Sequence, residues 1–149
     1  MKVFILPEFI EDLKELDNIK TLARVMDKLF DTKFNFKDNR DDHRYGGVKD
    51  AWIRDISKGS TAYRSIFIKK NDEIYLYRTG TKKIEENLVA PDLTGTVFQM
   101  TDLKVQIGNK INEFKNSGKL LKSPNPSELY DEIMKFSHIP LKEIWIVFL

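Results

Sequence analysis

The fold of this chain is decided by residues 62–83, which read AYRSIFIKKNDEIYLYRTGTKK. Two alternating apolar runs, Tyr63–Ile68 and Ile74–Arg78, flank a polar turn at residues 71 and 72. Alternating runs joined by so short a polar turn are typical of paired strands. The stretch therefore predicts an antiparallel hairpin.

An arginine stands at the end of each apolar stripe of this hairpin. Because strand side chains alternate between two faces, Arg64 shares the face of Ile66, and Arg78 shares the face of Leu76. We expect both guanidinium groups to emerge near one rim of the sheet, next to the basic strand end at residues 80–83. Permanent cations in this position suit a phosphate-bearing partner.

The basic residues are concentrated in the middle of the chain. The sequence has 149 residues and a net charge of +2, yet residues 33–83 hold 13 Lys and Arg against 7 Asp and Glu. The segments on either side each carry a net charge of −2. This asymmetry favours a nucleic-acid surface, because neutralised phosphates supply most sequence-independent affinity, although solvated strand edges explain it equally well.

Length and composition indicate a single soluble domain over residues 1–149. No apolar run is long enough to cross a bilayer, and the first one is too short for a secretory signal. The absence of cysteine excludes disulfides and thiol chemistry and fits a cytoplasmic protein. His43 and His138 are too few for a structural zinc site, so we expect no metal and no cofactor.

The N-terminal pattern predicts an α+β fold with helices between the first strand and the others. Residues 3–6 read as a short buried strand, and Pro7 begins an amphipathic helix that ends near Leu16. A second amphipathic helix is expected over residues 19–31. The two helices would form a hairpin that packs on an antiparallel sheet.

The later pattern predicts more strands and then a helical extension. A polar, turn-rich loop over residues 38–47 precedes a weakly alternating strand over residues 48–56. After the hairpin we expect helices near residues 102–116 and 127–136. Residues 143–149 form an almost unbroken apolar run and read as a buried terminal strand.

Residues 1–84 resemble the RelE/ParE toxin superfamily of bacterial toxin–antitoxin systems. The resemblance rests on the order of the elements, on Tyr63-Arg64 before a hairpin, and on the strand end Arg78-Thr79-Gly80-Thr81. It leaves residues 85–149 as a C-terminal extension. It implies a sheet with a basic concave face and, for the RelE-like branch, a metal-independent endoribonuclease. Such a toxin cleaves mRNA, usually at the ribosome, and is silenced by a cognate antitoxin.

The implied reaction is attack of a ribose 2′-oxygen on the adjacent phosphate, which needs a base, an acid and cations for the growing charge. By this resemblance Arg64 and Arg78 would stabilise the phosphate. The YafQ-like members carry a histidine where this chain has Lys82, so that Lys82 or His43 would transfer protons. The residues that we expect to hold the RNA are Lys49, Arg54, Lys83 and Tyr63.

Two alternative functions stay open. A ParE-like protein would inhibit DNA gyrase without catalysis, which the absence of a histidine after Thr81 favours. A basic module would hold nucleic acid or protein without chemistry. The ribonuclease interpretation requires the guanidinium groups of Arg64 and Arg78 to converge on one solvated hollow. The sequence does not determine the oligomeric state.

Overall fold

The computed structural model describes residues 2–18, 42–57 and 62–99, with single positions between 21 and 28 and between 102 and 113. Those single positions have helical backbone, but the bounds of their helices lie outside the described residues, as do the predicted helix near 127–136 and the terminal strand. The two-helix hairpin and the C-terminal helices therefore stay predictions. No described helix is both long and apolar enough to cross a membrane.

The described part is an α+β fold with a mixed five-stranded sheet. Its elements are β1 (Lys2–Ile5), α1 (Pro7–Lys14), β2 (Asp42–Arg44), β3 (Ala51–Asp55), β4 (Tyr63–Lys70), β5 (Glu73–Thr81) and a 3₁₀ helix (Lys82–Glu85).

The strands lie side by side in the order β1-β5-β4-β3-β2. Neighbours from β5 to β2 pair antiparallel, whereas β1 pairs parallel with β5. The prediction of an antiparallel sheet is therefore wrong at the β1 edge. A parallel pair needs a long connection, and the chain between β1 and β5 provides it, beginning with α1.

The predicted β4–β5 hairpin is confirmed, with residues 71 and 72 as its turn. Asn71 has a φ of 56°, in the left-handed region that asparagine adopts more readily than most residues. The register shifts between Ile66 and Phe67, which leaves Tyr77 as an extra residue on β5. Such a bulge increases the local twist of the strand and redirects the side chains beside it.

The first helix begins where the sequence predicts it. Leu6 is extended, and Pro7 takes the first helical position, where its missing N–H needs no partner. The helix buries an apolar stripe and packs against β5. The buried side chains of this stripe are Phe9, Ile10 and Leu13.

Both faces of the sheet are covered. The helix face, which α1 contacts, carries Trp52, Arg54, Phe67 and Leu76. The opposite face, here the strap face, carries His43, Ile53, Arg64, Ile66, Ile68 and Tyr75. Residues 82–98, here the strap, lie over it: Ile84 is buried in its apolar cluster, and three further strap residues pack against that cluster, namely Leu88, Leu93 and Val97.

Candidate functional site

Arg64 lies near the start of β4 on the strap face. Its Nη1 donates to Oε2 of Glu85 at 2.9 Å, and its Nη2 lies 3.8 Å from Oδ1 of Asp55. The side chain is 18% exposed, and its Nε is buried and has no hydrogen-bond partner among the described residues. Most buried polar atoms of folded proteins have a partner, so this donor is an unsatisfied group that an acceptor would reach only if its cover moved.

Arg78 lies at the same end of the hairpin, and its guanidinium reaches α1. Its Nε donates to Oδ2 of Asp12 at 2.7 Å, and its Nη2 donates to Oδ1 at 3.1 Å. The backbone N–H of Thr79 also donates to this carboxylate, at 3.0 Å. The hydrogen bond to Asp12 raises the pKa of Arg78. Arg78 thus joins β5 to α1.

The two arginines do not converge as the sequence predicts. Their backbones do share one end of the hairpin, because Arg64 pairs with Gly80, two positions after Arg78. The register starts both side chains from the same face, because Arg78 pairs with Ile66, which shares the face of Arg64. The guanidinium groups nevertheless take different partners, since that of Arg78 bonds Asp12 of α1 and that of Arg64 bonds Glu85 of the strap. Each has a carboxylate partner. The expectation of one solvated hollow lined by both guanidinium groups is therefore not met.

Arg54 is buried on the helix face and does not reach an outer surface. Its Nε and Nη2 donate to the two carboxylate oxygens of Asp42 at 2.6 and 2.7 Å. Its Nη1 donates to the backbone carbonyl of Lys28 at 2.8 Å, and its guanidinium lies 5.8 Å from the centre of the Phe67 ring. The prediction that Arg54 holds RNA is wrong, because a guanidinium that is 5% exposed is inaccessible to a phosphate.

His43 lies in β2, which corrects the prediction that it belongs to a loop. It pairs with Ile53, and Asp55 on the same strand pairs with Arg64, so His43 and Arg64 share the strap face. Two strand spacings, about 10 Å in all, separate their backbones across the sheet. The register thus brings two of the four predicted catalytic residues to one face.

The predicted lysines lie at both ends of the sheet. Lys82 and Lys83 are exposed in the 3₁₀ helix, whose last residue contacts Arg64. Lys49 is exposed in the turn before β3, at the opposite end, where the neighbouring Asp50 accepts a hydrogen bond from Lys69. Two of the three lysines therefore belong to the segment around Arg64, and Lys49 does not.

Tyr63 does not share the surface around Arg64. It precedes Arg64 on β4, so its side chain points to the helix face. Burial raises the pKa of Tyr63 to about 12, against a smaller lowering by a hydrogen bond with the Thr79 side chain. Tyr63 therefore lies opposite Arg64, as strand alternation predicts, and its role in RNA binding stays a prediction.

The residues that sequence reasoning missed are the carboxylates that hold the arginines. An arginine on a strand face needs a partner once that face is covered. The apolar side chains of Ile84 and Leu88 were a usable signal, since they predict a covered face after β5. Nothing in the sequence pattern singled out the carboxylates themselves, which are Asp12, Asp42, Asp55 and Glu85.

Among the described residues, no three His, Asp or Glu side chains come together as a metal ion would require. Comparison with known proteins adds no family: no protein-family model, no curated protein and no solved structure matches the chain.

Proposed function

We propose that the chain is a toxin-type RNA-binding protein of the RelE/ParE kind, which takes an RNA phosphate at Arg64. The unpartnered Nε of Arg64 carries this proposal, because it is a charged donor without an acceptor among the described residues and is covered in this arrangement of the chain. A guanidinium recognises phosphate oxygens with two parallel donors, and the exposed Lys82 and Lys83 lie in the adjoining segment. The basic middle of the sequence supports the same class of ligand.

The biological setting of this proposal comes from the resemblance of residues 1–84 to the superfamily. The RNA would be mRNA at the ribosome, the protein would act in the cytoplasm, and a cognate antitoxin would silence it. A neighbouring reading frame that encodes a small acidic or DNA-binding protein would support this setting. Co-expression with that protein should then relieve growth arrest.

Cleavage by a pair of arginines is not part of this proposal, because Arg64 and Arg78 are bound by carboxylates of two different elements. A second candidate function is cleavage by Arg64 and His43, which the shared strap face favours. The imidazole would accept the proton of the 2′-hydroxyl as the new oxygen–phosphorus bond forms. As the bond between phosphorus and the 5′-oxygen breaks, that oxygen would take a proton from water, and Arg64 would stabilise the charge on the phosphate.

The binding proposal is tested by fluorescence anisotropy with a labelled single-stranded RNA. Arg64→Gln should weaken binding about tenfold through loss of charge-assisted hydrogen bonds. Arg78→Gln is the matched control, since it removes the same charge from a guanidinium that Asp12 of α1 holds, and it should leave affinity within about twofold. Lys82→Gln should reduce the slope of affinity against salt concentration by about one phosphate contact. Equal effects of Arg64→Gln and Arg78→Gln would overturn the assignment of the phosphate to Arg64.

Catalysis is tested in parallel by gel analysis of the same RNA. If Arg64 and His43 form the reactive pair, His43→Gln should slow cleavage about a hundredfold and leave binding unchanged. Intact RNA with every variant would reject this second candidate and leave binding as the function. Growth arrest with intact, unbound RNA and altered plasmid supercoiling would reject both and support the ParE-like alternative.

A further inference from the structure

The Arg64–Glu85 contact joins a cation of the sheet to the strap. Oε2 of the Glu85 carboxylate accepts a hydrogen bond from Nη1 of the Arg64 guanidinium at 2.9 Å. Carboxylate and phosphate are both recognised by this planar fork, so Glu85 stands where a phosphate oxygen would lie in an RNA complex. The two acceptors therefore compete for one side chain.

The strap has little regular structure of its own. From Glu86 to Val97 it forms neither helix nor strand, and Asn87 has a left-handed φ of 54° directly after the 3₁₀ helix. The Tyr77 hydroxyl donates to the carbonyl of Val89 at 2.8 Å, yet the Val89 side chain is 68% exposed. Segments held by few bonds open at lower free energy than the core they cover.

Both ends of the strap are attached to the rest of the fold more firmly than its middle is. At the far end, the backbone groups of Phe98 and Ile5 exchange two hydrogen bonds, at 2.8 and 2.7 Å. At the near end, Ile84 is buried against Gly80, which pairs with Arg64. A Cβ added to Gly80 would lie 2.6 Å from Cγ2 of Ile84, so the close approach of the strap depends on this glycine.

The surface beneath the strap is rich in aromatic rings, on which RNA bases can stack. It carries the stacked rings of Phe4 and Tyr75, with Tyr45 and Tyr77 in the same cluster. Unpaired bases stack on aromatic side chains, and a cation at the edge would hold the adjoining phosphate. The strap and a short single-stranded RNA would thus contact the same residues.

We propose that residues 82–98 form an autoinhibitory strap, in which Glu85 takes the place of an RNA phosphate at Arg64. This inference rests on the proposed RNA-binding function. Displacement of the strap frees the guanidinium and uncovers the aromatic surface. A ligand or partner that binds the strap would therefore increase RNA affinity.

Two variants loosen the strap by independent means. Glu85→Gln removes the charge that holds Arg64, and Gly80→Ala inserts a methyl group against Ile84. Each should raise the affinity for labelled oligouridylate about tenfold in the anisotropy assay. Glu86→Gln is the matched control, because Glu86 is an exposed neighbour with the same charge, and its effect should stay below about twofold. Circular dichroism at the assay temperature shows whether each variant is folded.

The outcomes separate the strap from the RNA-binding function itself. A gain with Glu85→Gln that disappears when Arg64→Gln is added supports the strap. Equal gains from Glu85→Gln and Glu86→Gln overturn it, since they reflect net charge alone. If Arg64→Gln weakens binding but neither loosening variant strengthens it, the strap is rejected and the RNA-binding function stands. If Arg64→Gln has no effect in any background, the proposed function itself fails.

Discussion

The regular elements of the fold and the strap hold arginines differently. Arg54 and Arg78 are held by carboxylates that belong to β2 and α1, each through two hydrogen bonds. On the strap face, Arg64 is held by Glu85, which ends a one-turn 3₁₀ helix before an irregular segment. The arginine with the least regular support is also the one with an unpartnered Nε. Whether a guanidinium can bind a ligand therefore depends more on the segment that covers it than on its position in the strand.

The largest effect is expected from the buried pair of the helix face. Asp42→Ala should destabilise the fold by about 3–5 kcal/mol, because it leaves Arg54 buried without the carboxylate that accepts two of its hydrogen bonds. Urea unfolding measures the change. The double change Asp42→Leu with Arg54→Met is the control and should cost much less, since no charge stays buried. A cost below about 1 kcal/mol for Asp42→Ala would show that the pair is solvated.

The next effect is expected at the contact between α1 and β5. Asp12→Ala should cost about 2–3 kcal/mol, because Arg78 and the N–H of Thr79 lose a charged acceptor. Glu11→Ala on the same helix is the control. It removes an exposed ion pair with Lys14 and should cost about 0.5 kcal/mol or less in the same unfolding experiment. Equal losses of stability from Asp12→Ala and Glu11→Ala would show that the Arg78–Asp12 contact does not hold α1 on β5.

A smaller effect is expected at the strap. Tyr77→Phe should cost about 1 kcal/mol and speed amide exchange in the strap, since its hydroxyl holds the carbonyl of Val89. Tyr75→Phe is the control, because its hydroxyl bonds only Glu73 within its own strand. Hydrogen exchange of the wild type should also be faster at the N–H of Thr94, which donates to Asp92 within the strap, than at that of Leu6, which donates to β5. The reverse order would contradict a strap that opens locally.

The smallest change in stability at neutral pH is expected from Tyr63→Phe. At high pH this variant and the wild type should differ. Burial raises the pKa of Tyr63 to about 12 in the folded chain, above the ordinary 10.0. The neutral phenol therefore contributes stability that is fully present below pH 10 and is lost as the pH rises through 12. The free energy of unfolding should fall more steeply over this range in the wild type than in Tyr63→Phe. Parallel pH profiles would show that the phenol is solvated.

Local patterns predicted the described fold well where neighbours in sequence decide the structure. Pro7 and the apolar stripe after it predicted α1, and the alternating runs around residues 71 and 72 predicted the hairpin. The loop expected at His43 is instead an edge strand, because pairing with β3 overrides a polar, turn-rich sequence. The parallel pairing of β1 was missed for a related reason, since no local pattern specifies which strand a distant one joins.

The candidate site was predicted less well, because sequence positions alone do not identify the partner that each arginine takes. The register shift lies on the turn side of both arginines, since Arg64 pairs with Gly80 and Ile66 pairs with Arg78 before the shift. The partners come from far along the chain: Asp12 is 66 residues from Arg78, and Glu85 is 21 residues from Arg64. Only the assembled sheet brings such groups within hydrogen-bond distance.

The amino-acid sequence by itself determined the hairpin, the start of α1 and the concentration of cations at the strand ends, because these follow from side-chain periodicity and backbone preference. The tertiary structure alone decided which cations are neutralised and which face each one occupies. A charge on a covered sheet face loses its hydration. Each arginine is therefore neutralised by the carboxylate that the fold places within hydrogen-bond distance of it.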